Sequence, residues 1–262
     1  MRLYVHAISS YRSDREILNI KKELKQKSKM DLRRKEEFIY AGLFGALRLQ
    51  ENCEIQRESE LYLTSGFGNI NILAKMNEYI VEKQEYIKLF DFINMLGNTT
   101  NFYVASELGI KGKSIFEISD NFMYFHTLIS IYASILKNNN EVIIGAIDLA
   151  SHNPEVMKRV GGVDESVNVV SSVMYQKVSF EAKNALCSLE FDSRFYTKSE
   201  IESLIENENR EVIFSTRCDN KNNEYFETFA SYVVNDMILK AKNCLYIECY
   251  ENKYKILKIT PL

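Results

Sequence analysis

Thiols and imidazoles are the side chains with which this sequence could do nucleophilic or acid–base chemistry, and it holds five cysteines and three histidines. Cys53, Cys187, Cys218, Cys244 and Cys249 are odd in number and nowhere spaced as CxxC, which argues against a zinc site or a disulfide framework. Cys187, Cys244 and Cys249 lie inside apolar strand-like runs, where a thiol serves as a small buried hydrophobe in a reducing cytoplasm. His6 belongs to the first strand pattern, and His152 sits in a polar stretch beside Asn153 and Pro154. His126 lies in an apolar helical run, 122–137, and reads as a core histidine with one hydrogen-bond partner, catalysis being the alternative. Asp120-Asn121 precedes that run. Asn121 there reads as a helix cap, or as an amide donating to charge that develops on a carbonyl or enolate oxygen.

Two further stretches invite a functional reading. Ser65-Gly66-Phe67-Gly68-Asn69 could cradle a phosphate, but it lacks both the GxxxxGK[ST] lysine and the GxGxxG spacing. Close backbone packing at a strand-to-helix turn accounts better for its glycines. The basic cluster 21–35 is interrupted by Glu23 and Asp31 and reads as a solvated face. Net charge is −3, from 33 basic and 36 acidic residues that are otherwise mixed, so nucleic acid is not an expected partner. The chain opens on the strand pattern of residues 2–8 without a basic leader, and its longest apolar run, 122–136, is interrupted by Tyr, His, Thr and Ser. The expectation is a cytoplasmic protein without a membrane span, cofactor or metal.

The elements that must position these residues alternate between strand and helix. Strands are expected at 3–8, 60–65, 114–119, 141–149, 178–191, 211–216, 244–250 and 254–259. Helices are expected at 33–50, 70–83, 98–108 with Gly109 as its stop, 122–137, 198–206 and 224–240. The polar segment 151–170 reads as a loop, and Glu251-Asn252 as a tight hairpin turn. A helix apolar on nearly every face, such as 122–137, predicts a buried helical layer between sheets. Helix 122–137 with its following strands has the same order as helix 224–240 with the two last strands, which suggests a duplicated fold. The half-repeats would be 1–192 and an abbreviated 193–262, within one domain.

The run Leu108-Gly109-Ile110-Lys111-Gly112-Lys113-Ser114-Ile115-Phe116-Glu117-Ile118-Ser119 resembles the LGLKGPSYTVST segment of β-ketoacyl synthases of the thiolase superfamily. In that family the nucleophilic cysteine follows and then an inward-facing helix. Counting on without gaps puts Asn121 at the cysteine position and His126 on the histidine of the helix. Residues 141–147 are similar to the family's ADVMLAGG strand, 63–68 to its strand and glycine turn, and 179–186 to its EGAAALVLE strand. The likeness covers 33–149 well and 178–262 in outline. It implies an α/β fold, thiolase-like and layered α-β-α-β-α, with an abbreviated second half.

Two departures bear on activity. Condensation needs a thiolate activated at a helix N-terminus, and Asn121 cannot form a thioester. The family also needs two histidines in its second half, and none follows His152. Both losses resemble the short chain-length-factor subfamily of aryl-polyene and type II polyketide pathways, as does the similarity of Leu32-Arg33-Arg34-Lys35-Glu36-Glu37-Phe38 to its RRLSRLA-like helix. The resemblance implies a non-catalytic subunit that pairs as a heterodimer with an active β-ketoacyl synthase, acyl carrier protein docking mainly on that partner. Interface and tunnel residues would then be Asn94, Asn98, Phe116, Ile118, Asn121 with its neighbour Asp120, Phe122, Met123 and His126. Other readings are a malonyl-carrier decarboxylase using Asn121, and a degenerate homodimeric scaffold.

Overall fold

A computed structural model describes residues 1–119, 121–151, 153, 155–156, 158, 170–215 and 228–262. Among these residues nine strands join in one hydrogen-bonded sheet of order β3-β2-β4-β5-β1-β6-β9-β8-β7. They are β1 (Arg2–Arg12), β2 (Glu60–Ser65), β3 (Ser114–Ile118), β4 (Val142–Asp148), β5 (Ser172–Ser179), β6 (Cys187–Phe191), β7 (Glu211–Phe214), β8 (Cys244–Tyr250) and β9 (Lys253–Pro261). The helices are α1 (Ile20–Lys27), α2 (Glu37–Gln50), α3 (Ile70–Asn77), α4 (Leu89–Met95), α5 (Gly97–Leu108), α6 (Met123–Asn138), α7 (Lys198–Glu206) and α8 (Thr228–Leu239).

β1 holds the two halves together. Its residues 4–12 pair with β5 and its residues 2–5 with β6, with a register shift between Val5 and Ala7. On one side β2 runs parallel to β4, β4 antiparallel to β5, and β5 antiparallel to β1. On the other β7 runs parallel to β8, β8 antiparallel to β9, and β9 antiparallel to β6. β3 extends the first set, pairing among the described residues with β2 alone, and so forms an edge there.

Burial separates the layers. One apolar cluster unites α2 and α5 with one face of the first set, including Phe38, Leu43, Val104, Leu61 and Ile143. A second unites α6 and α8 with both sets, through Phe125, Leu128, Val234, Ile144 and Tyr246. A third places α7 on β8 and β9 through Ile201, Leu245 and Ile256. The order is therefore helix, sheet, helix, sheet, helix, the two sheet layers being halves of one continuous sheet.

α6 is buried because both of its flanks meet strands. Phe125 stacks on Tyr246 of β8, ring centroids 6.5 Å apart at 6°, while the Tyr124 hydroxyl donates to Gln176 Oε1 of β5 at 2.8 Å. Gln176 Nε2 donates to Asn235 Oδ1 of α8 at 2.7 Å, and Asn235 Nδ2 to the Ser9 carbonyl of β1 at 3.0 Å. These polar groups are fully buried and satisfied, so they fix how the two central helices seat on the sheet.

Several expectations need correction. The strand expected at 178–191 is two: β5 ends at Ser179, the chain turns through exposed Glu181, Ala182, Lys183 and Asn184, and β6 begins at Cys187. Asn184 takes a left-handed φ of 59°, a conformation asparagine tolerates, and this reverses the chain inside an apparently alternating run. The helix expected at 70–83 is α3 followed by a π-helical turn, Glu78–Glu82. Helix 33–50 begins only at Glu37, and α1 and α4 were not anticipated. Gly109 does end α5, at φ 73°, and the turn at Glu251-Asn252 has both residues at positive φ, the signature of a primed hairpin turn. Most of 151–170, all of 216–227, and with them His152, Cys218 and Asp120, lie outside the described residues.

Candidate site at the amino end of the central helix

β3 delivers the chain to α6 through Ser119 and Asn121. Ser119 Oγ accepts from the Asn121 N–H at 3.4 Å and lies 3.3 Å from its carbonyl oxygen. Asn121 is half-buried and stands one residue before the cap position, which Phe122 occupies without a side-chain capping bond. The expected asparagine cap is therefore displaced by one residue. Phe122 has φ 53° and ψ 25°, a left-handed conformation that disfavours a bulky residue by roughly 1–2 kcal/mol. Burial offsets that strain: Phe122 is 3% exposed, with its ring centroid 5.3 Å from Phe195 and 6.4 Å from His126.

A cation completes this aromatic group. Lys255 of β9 is 1% exposed, its Nζ lies 4.3 Å from the Phe195 ring centroid and donates to the Ser193 carbonyl at 2.7 Å. Burial lowers the Lys255 pKa. His126, expected in the core, is on the exposed flank of α6, packed against Phe122 and Phe195, and its ring makes no hydrogen bond among the described residues. Partial burial and then repulsion from Lys255 lower its pKa, with Glu117 acting the other way.

The thiols are elsewhere. Among the described residues Cys53 follows α2, Cys187 is in β6, and Cys244 and Cys249 are in β8. Burial pushes the Cys187 thiol up to about 12 and that of Cys244 up to about 11. Both are buried hydrophobes, as expected, while Cys249 is half-buried. His6 lines a separate polar cavity of 360 Å³ with Glu141, Lys177 and Ser179, its Nε2 2.8 Å from Ser179 Oγ.

The glycine turn after β2 is organised by a residue the sequence did not single out. Asp148, fully buried at the end of β4, accepts from Ser65 Oγ at 2.7 Å, from the Gly66 N–H at 3.0 Å and from the Phe67 N–H at 3.3 Å. Ser65 Oγ accepts in turn from the Gly68 N–H at 2.8 Å. The amides that could hold a phosphate are thus taken by the protein's own carboxylate. A lone acid ending the apolar run Val142–Asp148 was the available signal.

The other expected site residues divide. Asn94 is buried and serves as a tether: its Nδ2 donates to the Arg34 carbonyl at 3.0 Å, and its carbonyl accepts from Asn69 Nδ2 at 3.3 Å. Phe116 is half-buried and faces inward, 6.2 Å edge-on to Phe38, with Gly97 so close that a Cβ there would lie 2.2 Å from its ring. Met123 is buried, Asn98 is exposed, and Ile118 is 58% exposed on the open edge of β3. Large apolar side chains stand exposed along the neighbouring elements: Ile80, Val81, Leu89, Phe92 and, on α5, Phe102 at 65%. No helix among the described residues is long and apolar enough to cross a membrane.

No family model matches this sequence, and no curated protein matches it. Solved structures do. The ishigamide ketosynthase/chain length factor matches with a TM-score of 0.72 over 99% of this chain and 100% of that one, at 9% identity. The chain has the thiolase-like ketosynthase fold. Two further ketosynthase-fold structures agree. The ketosynthase ApeO in complex with its chain length factor ApeC from Xenorhabdus doucetiae matches at TM-score 0.62 and 11% identity, covering 98% and 99%. A β-ketoacyl synthase from Burkholderia phymatum matches at TM-score 0.68 and 7% identity, covering 100% and 99%. At these identities the likeness establishes the fold, and function rests on the residues.

Proposed function

We propose that this chain is a non-catalytic ketosynthase-like subunit, a chain length factor, which pairs with an active β-ketoacyl synthase in a type II fatty-acid or polyketide pathway of aryl-polyene type. One observation carries the reading: the left-handed elbow at the start of α6, where a condensing enzyme needs an activated thiolate, holds the buried ring of Phe122, with Asn121 beside it. Such an end cannot be acylated.

What the chain offers instead is a surface. Among the described residues β3 presents an unpaired edge, a template for a strand of another subunit. Exposed apolar side chains on α4, α5 and β3 adjoin it, more than a solitary surface tolerates well. The partner would cover this edge, and the wall formed around Phe122 and Met123 would limit acyl length by bulk, since each added methylene must find apolar volume. Acyl carrier protein would dock mainly on the catalytic subunit. Among the solved structures of this fold are a ketosynthase with its chain length factor and one with its acyl carrier protein. The matching strand pattern on the two sides of β1 supports two half-repeats. In this reading β6 would open the second, with the boundary in the turn at 180–186 in place of 192.

Intact-mass measurement after incubation with acyl-carrier thioester and the co-expressed ketosynthase tests the reading. The acyl adduct is expected on the ketosynthase alone. An adduct on this chain would overturn it, as would carbon dioxide release from malonyl carrier by this chain alone that Asn121→Ala abolishes.

A further inference from the structure

The polar cavity beside His6 has no part in the heterodimer reading. Asn139, which closes α6, is in its wall, so the length of that 16-residue helix, about 24 Å, separates it from Phe122. Its construction begins in β1. His6 alone among residues 4–12 is left out of the β1–β5 ladder, at a bulge between Val5 and Ala7 that turns its ring to Ser179. Ser179 Oγ also accepts from the Glu181 N–H at 3.0 Å, which ties down the turn after β5. Asn139 and, in that turn, Asn184 take left-handed φ of 52° and 59°.

The charge in this cavity is already matched. Lys177 Nζ lies 2.7 Å from Glu141 Oε2 and donates to the Glu54 carbonyl at 2.7 Å. Glu141 Oε1 accepts from the Gln56 N–H at 2.9 Å and from Ser59 Oγ at 2.6 Å. Exposed Glu181 and Lys183 add one charge of each sign. Burial and then Lys177 lower the His6 pKa, with Glu141 and Glu181 acting the other way. The wall is thus neutral in sum near pH 7. What stays free is polar and uncharged: the side-chain amides of Gln56, Asn139 and Asn184 make no hydrogen bond among the described residues. Phe180, 5.1 Å from the Tyr132 ring, is the one apolar side chain of the wall.

We propose that this cavity binds a small neutral polyol, a single sugar ring with its hydroxyls. A hydroxyl both donates and accepts, as an amide does, so three unpartnered amides match a ligand rich in hydroxyls. The C–H face of the ring packs on Phe180, whose aromatic surface is the only apolar contact available. At 360 Å³ the cavity is at the small end of ligand sites, about 300–1,000 Å³, which suits one ring. An acyl chain would meet polar groups it cannot satisfy, and an ion would meet no net opposite charge. The proposal goes beyond the heterodimer reading and stands without it.

Saturation-transfer NMR on the full chain tests it, with glucose and N-acetylglucosamine as probes at about 10 mM. Transfer to the ring protons of at least one sugar is expected, with the same affinity at about 50 mM and about 300 mM salt. Glycine adopts a left-handed backbone without strain, so the double variant Asn139→Gly, Asn184→Gly removes the amides and keeps the chain path. It should weaken binding roughly tenfold. Asn252→Gly, the same change at positive φ in the β8–β9 turn, should bind as the unaltered chain does. Should the double variant fail to fold, Gln56→Ala decides: it keeps the N–H that holds Glu141 and should weaken binding about fivefold. Absence of transfer to both sugars, unchanged affinity in the deciding variant, or tighter binding of glycine or inorganic phosphate than of either sugar would each overturn the proposal.

Discussion

Two buried carboxylates show how individual residues set this architecture. Asp148 has no solvent to fall back on, and its acceptor oxygens are met by a hydroxyl and two backbone amides of the turn after β2. Removing its charge keeps the shape and weakens charge-assisted bonds, so Asp148→Asn should destabilise the fold by about 2–3 kcal/mol in denaturant titration. A change below about 0.5 kcal/mol would mean the turn holds itself. Glu141 is the second case. Burial alone would raise its pKa, but the Gln56 N–H, the Lys177 ammonium and the Ser59 hydroxyl together bring it below the ordinary 4.5. A carboxyl depressed in the folded state contributes stability that is fully present above pH 4.5 and is lost as pH falls through the lower folded value. The stability of Glu141→Gln should therefore fall less steeply with acid below pH 4.5 than that of the unaltered protein. Equal slopes would remove Glu141 from the account. Neither role was legible in the sequence, where both residues read as parts of an apolar strand. Apart from Lys177, the partners lie more than 80 residues away along the chain, and nothing local announces them.

At the scale of elements, local signals were read well where one face or one residue decides. Gly109 ends α5 because its left-handed φ suits glycine, and α7 spans the expected residues with a capping box at Thr197 and Glu200. The apolar run at α6 forecast a buried helix because two sheet layers need a helix that is greasy on both flanks. The reading failed where alternation ran on through a turn: Phe180, Ala182 and Leu186 keep the period of a strand, yet Ala182 and Leu186 are exposed in the reversal between β5 and β6. His126 was misplaced for a related reason, since a helix packed between two sheet layers still turns a third face to water. The junction of α5 with β3 gives a sharp prediction. A methyl at residue 97 would meet the Phe116 ring at 2.2 Å, so Gly97→Ala should displace α5 from β3 and cost about 1–3 kcal/mol. If the proposed pairing through the β3 edge holds, it should also weaken association with the ketosynthase. A variant of full stability and full association would show that the edge adapts.

The whole molecule is one sheet folded around two helices, α6 and α8, with outer helices on both sides. The layered fold was legible through the resemblance of 63–68, 108–119 and 141–147 to β-ketoacyl synthase segments, and the apolar run 122–137 pointed to its buried helical layer. That the two sheet layers are one continuous sheet through β1 was not legible, because the β1–β6 pairing joins residues 2–5 to 187–190 and depends on where the chain reverses. Of the candidate site, the sequence placed the start of α6 with Asn121 just before it. It could not show that the elbow itself falls on Phe122, because a left-handed backbone is imposed by the turn from β3 and not by the residue that occupies it. Among the described residues β3 is an edge, apolar side chains stand exposed near it, and Asn121 and Phe122 occupy the start of α6; the proposed partner subunit rests on these three features together. The most direct measurement is the native mass of this 30.5 kDa chain, alone and co-expressed with the ketosynthase encoded nearest to it. The account expects a 1:1 complex, with the lone chain poorly soluble through its exposed edge. A stable homodimer that ignores the ketosynthase would contradict it.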